Sequence, residues 1–114
     1  MSIFGDWKSC VIAKDGTLSA EVDLGRDYEY LSIFFPTIDS AAISIKGSRT
    51  TGGTFQPVYI TDPATGANVL PISTAGTGGI NWIVPIGGFR YIKLLAGAGQ
   101  TTAAVTFYVR GSRC

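Results

Sequence analysis

The clearest strand signal in this chain is the apolar run Tyr91-Ile92-Lys93-Leu94-Leu95. It is entered through Pro85-Ile86-Gly87-Gly88 and left through Gly97-Ala98-Gly99. Runs of this kind, bounded by Gly, Pro or Asp, recur along the chain, whereas the 3–4 spacing of an amphipathic helix does not. The pattern therefore predicts an all-β protein.

The other strand signals follow at short, regular intervals. The predicted strands span residues 7–13, 17–24, 28–35, 41–47, 54–61, 68–73, 80–86, 89–96 and 101–110. They are separated by turn residues such as Lys14-Asp15-Gly16, a hairpin signal, and by the expected connections 36–40 and 74–79. Eight to nine strands in one domain favour a two-sheet antiparallel sandwich of jelly-roll type, or a closed barrel of similar size.

Alternation within the strands predicts which side chains enter the core. In the second strand the expected inward set is Leu18, Ala20, Val22 and Leu24, with Ser19, Glu21 and Asp23 in water. In the last strand the expected inward set is Ala103, Val105, Phe107 and Val109, with Tyr108 and Arg110 outward. Residues 28–35 are apolar on both faces, which is typical of a central strand or of one covered by a partner.

The composition limits the possible functions. Apolar residues make up 46% and charged residues 15% of the chain, so disorder is excluded and a surface covered by partners is favoured. The net charge of +1 gives no reason to expect a nucleic acid partner. All eight acids lie at or before Asp62, so Arg90, Lys93, Arg110 and Arg113 are expected to be unopposed.

The chain organisation predicts one β-sandwich domain over residues 1–114, with an extended N-terminal arm at 1–6 and a C-terminal tail at 111–114. The two cysteines form no disulfide framework, and Cys10 is expected to be buried while Cys114 is expected to be frayed. No signal peptide and no membrane span are found, so synthesis in the host cytoplasm and no membrane partner are expected.

The sequence offers little catalytic equipment. It contains no histidine, which removes the usual general base and the commonest transition-metal ligand. Asp23, Asp27 and Glu29 flank one bend, but their spacing matches no calcium loop. The prediction is a protein that is not an enzyme, with no catalytic residue, no metal and no cofactor.

Three stretches carry a resemblance to a known family. They are Tyr28-Glu29-Tyr30-Leu31-Ser32-Ile33-Phe34-Phe35-Pro36-Thr37-Ile38-Asp39-Ser40, Gly52-Gly53-Thr54-Phe55 and Trp82-Ile83-Val84-Pro85-Ile86-Gly87-Gly88-Phe89-Arg90-Tyr91-Ile92-Lys93-Leu94. Together they resemble small β-sandwich virion proteins of tailed bacteriophages, such as capsid decoration (cement) proteins. The resemblance implies a jelly-roll-like subunit of the virion, often a homotrimer, that binds the major capsid protein or other virion proteins and ties neighbouring capsomers together.

Contact residues are predicted at the ends and loop tips, because these reach neighbouring molecules most easily. The predicted contact residues are Ser2, Ile3, Phe4, Trp7, Arg49, Thr50, Thr51, Tyr108, Arg110 and Arg113. Residues 48–53 are expected to form the most mobile loop.

Two other interpretations remain open. Exposed aromatic side chains, with Trp7 and Tyr108 foremost, could stack on sugar rings, and residues 88–94 are also similar to strands of discoidin-like sugar-binding sandwiches. Such a carbohydrate-binding module is one alternative. Another phage component, from the tail, neck or head fibre, is the other.

Overall fold

The computed structural model describes residues 3–73 and 76–113. Within these ranges all regular structure is β, which confirms the predicted class, and there is no helix that could cross a membrane. The strands are β1 (Ile3–Phe4), β2 (Lys8–Ile12), β3 (Val22–Asp23), β4 (Tyr30–Phe34), β5 (Thr37–Ala41), β6 (Ile43–Ser48), β7 (Gln56–Pro57), β8 (Ile60–Thr61), β9 (Asn68–Val69), β10 (Gly76–Gly78), β11 (Asn81–Pro85), β12 (Tyr91–Ala96) and β13 (Val105–Arg113).

Two larger sheets organise the described strands. The five-stranded sheet has the order β1-β13-β4-β11, and β2 also pairs with β13. The four-stranded sheet has the order β3-β12-β6-β7, and two small sheets join β5 to β10 and β8 to β9. Every pairing is antiparallel.

The inward faces of the two larger sheets share one hydrophobic core. The five-stranded sheet contributes Cys10, Ile12, Leu31, Ile33, Val84, Phe107 and Val109. The four-stranded sheet contributes Val22, Ile43, Ile45, Ile92, Leu94 and Ala96. Phe107 is fully buried, and its ring meets Phe35 edge-on at a centroid distance of 5.3 Å. The jelly-roll connection of these sheets stays a prediction.

The two ends of the described chain pair with each other, which differs from the expected arm and tail. Ile3 and Phe4 pair with Arg113 and Ser112, and the Gly5 N–H donates to the Gly111 carbonyl at 2.9 Å. The predicted contact residue Ser2 and the predicted frayed Cys114 lie outside the described residues.

The buried ring of Tyr28 packs against the backbone of both paired segments, at Gly5 and at Gly111. It packs so closely on Gly111 that a Cβ there would overlap the ring, and a Cβ on Gly5 would lie 2.6 Å from its hydroxyl oxygen. The ends are therefore part of the sheet because glycine lets the ring approach the backbone.

The predicted second strand, 17–24, is regular only over Val22–Asp23, and its alternation is wrong at residues 18–20. Leu18 is exposed and forms an isolated bridge with Leu95, whereas Ser19 is buried. The Ser19 hydroxyl accepts the Leu94 N–H at 2.9 Å and donates to the Ala20 carbonyl at 2.9 Å. Ser19 is tolerated inside because both hydrogen-bonding functions of its hydroxyl are satisfied.

Two segments expected to be connections form strands instead. Thr37–Ala41 pairs with Gly76–Gly78, where Gly78 has a φ of +86° and passes so close to the Pro36 carbonyl that a Cβ would overlap it. The buried Gln100 completes this region, because its amide accepts the Asp39 N–H at 2.9 Å and donates to the Asp39 carbonyl at 3.1 Å. The Gln100 side chain thus makes the hydrogen bonds to the Asp39 backbone that a neighbouring strand would otherwise make.

Three smaller expectations are also corrected. The strand expected over residues 54–61 is divided into β7 and β8, and the one expected over 68–73 is regular only in β9. Ala103, expected inward, is exposed because it lies before the regular part of its strand.

Candidate contact surface

The outer face of the five-stranded sheet carries an exposed cluster of four aromatic side chains, Phe4, Trp7, Phe34 and Tyr108, called here the aromatic patch. Their exposed fractions are 61%, 49%, 47% and 46%, respectively. Strand register sets Tyr108 beside Phe34, and their rings meet edge-on at 6.4 Å. Trp7, Phe34 and Tyr108 line a shallow depression of about 320 Å³.

Arg110 stands within the aromatic patch and is held by three contacts. Its Cζ lies 4.8 Å from the Phe4 ring centroid and 5.6 Å from that of Trp7, and its Nε donates to the Gly5 carbonyl at 3.1 Å. Each such cation–π contact is worth about 0.5–1 kcal/mol at an exposed site. Within residues 3–73 and 76–113 the guanidinium forms no ion pair with a carboxylate. The patch therefore presents one oriented positive charge.

Apolar exposure continues across the same face. Val11 lies beside Thr106, Tyr30 lies beside Pro85, and Ile83 lies beside Ser32 with 68% of its surface exposed. These residues share the face with the polar side chains of Ser32, Thr106 and Arg110, so the exposed apolar area is interrupted outside the aromatic patch. The face is also firmly positioned, since Tyr108 and Phe34 lie on paired central strands.

The structure brings together four of the predicted contact residues: Phe4, Trp7, Tyr108 and Arg110. Arg113 follows on β13, where its main chain pairs with that of Ile3. Phe34 was missed, because a strand that is apolar on both faces gives no sign of which face stays uncovered.

The predicted contacts Arg49, Thr50 and Thr51 lie elsewhere, in the connection from β6 to β7 of the four-stranded sheet. This connection was expected to be mobile, yet Glu21 fastens it. The Glu21 carboxylate accepts the Thr51 hydroxyl at 2.6 Å and the Gly52 N–H at 2.7 Å, and both bonds lower its pKa.

The expected set of unopposed cations is also corrected. Arg90 forms a bidentate ion pair with Asp23, with N–O distances of 2.7 and 3.1 Å, so one of the four cations is neutralised. The pair lowers the pKa of Asp23, with help from the Gly25 N–H. Lys93 lies 4.6 Å from the Phe55 ring centroid and does not join the aromatic patch.

Glu21, Asp23 and Asp39 all have lowered pKa values, and that of Asp39 is lowered by the Thr102 N–H and hydroxyl. We therefore expect the stability of the folded protein to be sensitive to acid. A pKa below its unfolded value contributes stability above that value and loses it as pH falls through the folded pKa. We expect the melting temperature to be constant near neutrality and to fall below about pH 4.

Thermal melts of the wild type and of Glu21→Gln across this range test the expectation. The variant should be less stable than the wild type at neutral pH, and the two should converge in acid as Glu21 becomes protonated. Equal melting temperatures of the two proteins at every pH would contradict it.

The described residues hold no group of three His, Cys, Asp or Glu side chains that could bind a metal ion. Cys10 is buried, and this burial raises the pKa of its thiol, so it remains protonated near neutrality and is a poor nucleophile.

A cleft of about 770 Å³ lies beside the connection from β6 to β7. Its lining includes Arg49, Gln56, Tyr59 and Phe89, and the Phe89 ring packs directly on Gly47. An adjoining depression of about 440 Å³ shares Arg49 and Phe89. This polar cleft belongs to the four-stranded sheet, whereas the aromatic patch lies on the five-stranded sheet.

The architecture defines a class, an all-β domain of two larger antiparallel sheets, and no family model or curated protein matches the chain. Among solved structures the chain is similar to the SPBc2 prophage-derived protein YomS, with a TM-score of 0.57 and 18% identity. The likeness covers 97% of this chain and 96% of that chain. At this identity it shows a shared fold.

Weaker likenesses also span nearly the whole chain. The Drosophila NLP-core has a TM-score of 0.42 and 6% identity, covering 96% of this chain and 99% of that chain. A chain of the cyanophage Pam1 capsid asymmetric unit has a TM-score of 0.37 and 14% identity, covering 95% and 84%. Neither carries an argument about fold or function.

Proposed function

We propose that the chain is a non-enzymatic structural virion protein, and specifically a capsid decoration (cement) protein that binds the assembled phage shell and stabilises it. The observation that supports this most is the aromatic patch, whose Phe34 and Tyr108 lie side by side on paired inner strands of the five-stranded sheet. A catalytic role would need reactive groups in a cleft, whereas this face provides exposed aromatic surface for contact with another molecule. The sequence resemblance and the shared fold with a prophage-derived protein support the same class.

The aromatic patch fits a protein partner. Tyr, Trp and Arg are the side chains that most often dominate binding energy at interfaces, and all three occur in this patch. The oriented Arg110 calls for a carboxylate flanked by apolar side chains on the partner. We propose the major capsid protein, or another virion protein, as the molecule that provides it.

Attachment as a homo-oligomer strengthens such contacts. The resemblance favours a trimer, in which linked copies bind a repeating shell with an avidity above that of one copy. We propose the sheet end with Ile3 and Arg113, and the loop with Arg49, Thr50 and Thr51, as further contacts with neighbouring molecules, and Ser2 stays a predicted contact. Their separate locations suit a subunit that touches more than one neighbour.

Co-sedimentation with shells purified after deletion of this gene tests the proposal. Wild-type protein should bind to saturation, and Tyr108→Ser should weaken binding about tenfold or more, since it removes a central aromatic contact. Ile72→Ser is the matched control, because Ile72 is similarly exposed at 56% and lines neither the aromatic patch nor the cleft that holds Arg49.

Absence of binding by the wild type would refute the shell role. Equal weakening by both substitutions would refute the assignment of the aromatic patch. Binding to tails and not to heads would favour the alternative of a tail, neck or head-fibre component.

A carbohydrate-binding function is the second candidate, and the polar cleft is the observation that favours it. Tyr59 and Phe89 offer aromatic surface there, while Arg49 and Gln56 offer hydrogen-bonding groups. Electrophoresis through gels that contain soluble polysaccharide tests it. Retardation that is lost in Tyr59→Ser and retained in Tyr108→Ser would favour this function over the shell role.

A further inference from the structure

β11 is the outermost strand of the five-stranded sheet, because among the described residues it pairs only with β4. The Phe35 N–H donates to the Ile80 carbonyl at 2.9 Å, and the Ile86 N–H donates to the Glu29 carbonyl at 2.8 Å. Since backbone groups alternate along a strand, the even-numbered residues from 80 to 86 face β4. The backbone groups of Asn81, Ile83 and Pro85 therefore point away from the sheet.

This edge has little protection against a further strand. Natural edges are protected by lysine, proline, inward charges or bulges, and Asn81–Pro85 has only Pro85, at its last position, with no charged side chain and an unbroken register with β4. Pro85 removes one donor and leaves two. Ile83 is 68% exposed, and Trp82, on the core side of the strand, is only half-buried. An added strand would cover both side chains.

We propose that β11 pairs antiparallel with β11 of a second copy of this chain. The two-fold axis that relates the copies passes between the two Ile83 residues. The strand is complementary to itself in this register. The two Ile83 residues exchange a pair of N–H to carbonyl bonds, and each Asn81 N–H donates to the Pro85 carbonyl of the other copy. Pro85 lies opposite Asn81 of the other copy and has no N–H to donate to the Asn81 carbonyl. The other hydrogen bonds between the two strands form without it.

Charge distinguishes this mode from stacking of one aromatic patch on another. Stacked sheets lie about 10 Å apart, so stacking of two aromatic patches would bring two Arg110 guanidinium groups, neither ion-paired among the described residues, into one interface. Edge pairing separates the two Arg110 positions by five strand spacings, or about 24 Å. That is well beyond the screening length of about 8 Å at physiological salt. A second copy is therefore accommodated at the edge without repulsion.

Edge pairing would also affect how the protein binds a shell. This point rests on the proposed shell role, whereas the pairing itself does not. A two-fold axis between antiparallel strands runs perpendicular to the sheet, so both outer faces point the same way. The two aromatic patches then lie on one surface and can bind one shell together. If a trimer forms through another surface, the β11 pair would link neighbouring trimers.

Cross-linking tests the pairing on the isolated protein. Directly opposed residues of a hydrogen-bonded antiparallel pair have Cα atoms about 5.5 Å apart, within the range that a disulfide spans. In a Cys114→Ser background, Ile83→Cys should form a covalent dimer when oxidised glutathione takes up the two electrons and two protons of the thiols. Ile72→Cys, at another exposed isoleucine, is the control.

The expected result is a disulfide dimer for Ile83→Cys that forms at least tenfold faster than for Ile72→Cys. Sedimentation of the wild type should also show concentration-dependent association that Ile83→Lys removes, with the same melting temperature as the wild type at concentrations where the wild type is monomeric. Equal cross-linking rates, or an assembly state unchanged by Ile83→Lys, would overturn the proposal. Both measurements use the isolated protein without shells, so they test the pairing even if the proposed shell role is wrong.

Discussion

Phe107→Ala is expected to lower the free energy of unfolding by about 3–5 kcal/mol, the usual cost of truncating a fully buried phenylalanine. Phe107 is the largest fully buried side chain of the described core, and its ring meets Phe35 edge-on. The cavity would lie between the two larger sheets, where neither can collapse freely. Because small domains are stable by about 5–15 kcal/mol, this variant should melt far below the wild type or fail to fold.

Tyr108→Ala is the matched control, since Tyr108 follows Phe107 on the same strand but points outward. Its unfolding free energy should change by less than about 1 kcal/mol. Urea denaturation followed by tryptophan fluorescence measures both variants. Similar losses at the two positions would contradict the assignment of inner and outer faces on β13.

Gly111→Ala is expected to cost about 3 kcal/mol, at the upper end for a substitution that overfills a packed site. The added Cβ would overlap the Tyr28 ring, which is itself buried and cannot swing into solvent without exposing the core. The damage should be local at first, because Gly111 lies where β1 joins β13. Hydrogen exchange should therefore report early loss of protection at Gly5.

Gly99→Ala is the control for this substitution, since a Cβ there would have only an ordinary contact, 3.9 Å from the Asp15 carbonyl. A double-mutant cycle with Tyr28→Ala isolates the cause. In the Tyr28→Ala background the cost of Gly111→Ala should largely vanish. If the two costs simply add, the close approach of ring and backbone is not the reason that glycine occupies this position.

The regular parts of the fold were predictable because their signals are local. The run Tyr91–Leu95 lies within β12, and the alternation of Phe107, Tyr108 and Val109 gives the correct faces of β13. In both cases the side chains themselves carry the period of a strand. Register then needs no further information where one face is buried.

The remaining parts depend on contacts between distant residues. Ser19 is inward because its hydroxyl meets the backbone of Leu94, and Gln100 is inward because its amide meets Asp39. Neither partner is visible from local pattern. The pairing of the two chain ends likewise depends on Tyr28 reaching Gly111, which only the folded chain reveals.

The candidate site shows the same division. Trp7 and Tyr108 were predicted at the surface from position and alternation, and the structure brings them together with Phe4 and Arg110. Phe34 required knowledge of which sheet face stays uncovered. The sequence could therefore predict that certain aromatic side chains are exposed, but which of them lie together follows from strand order.

Hydroxyl-radical footprinting of the protein on assembled shells tests the proposed shell contact of the aromatic patch, because it reports which side chains the shell covers. Trp7, Phe34 and Tyr108 should become strongly protected from oxidation on the shell, while Ile72 should react as in the free protein. Unchanged oxidation of the aromatic patch, or protection confined to Ile72, would contradict the proposed contact.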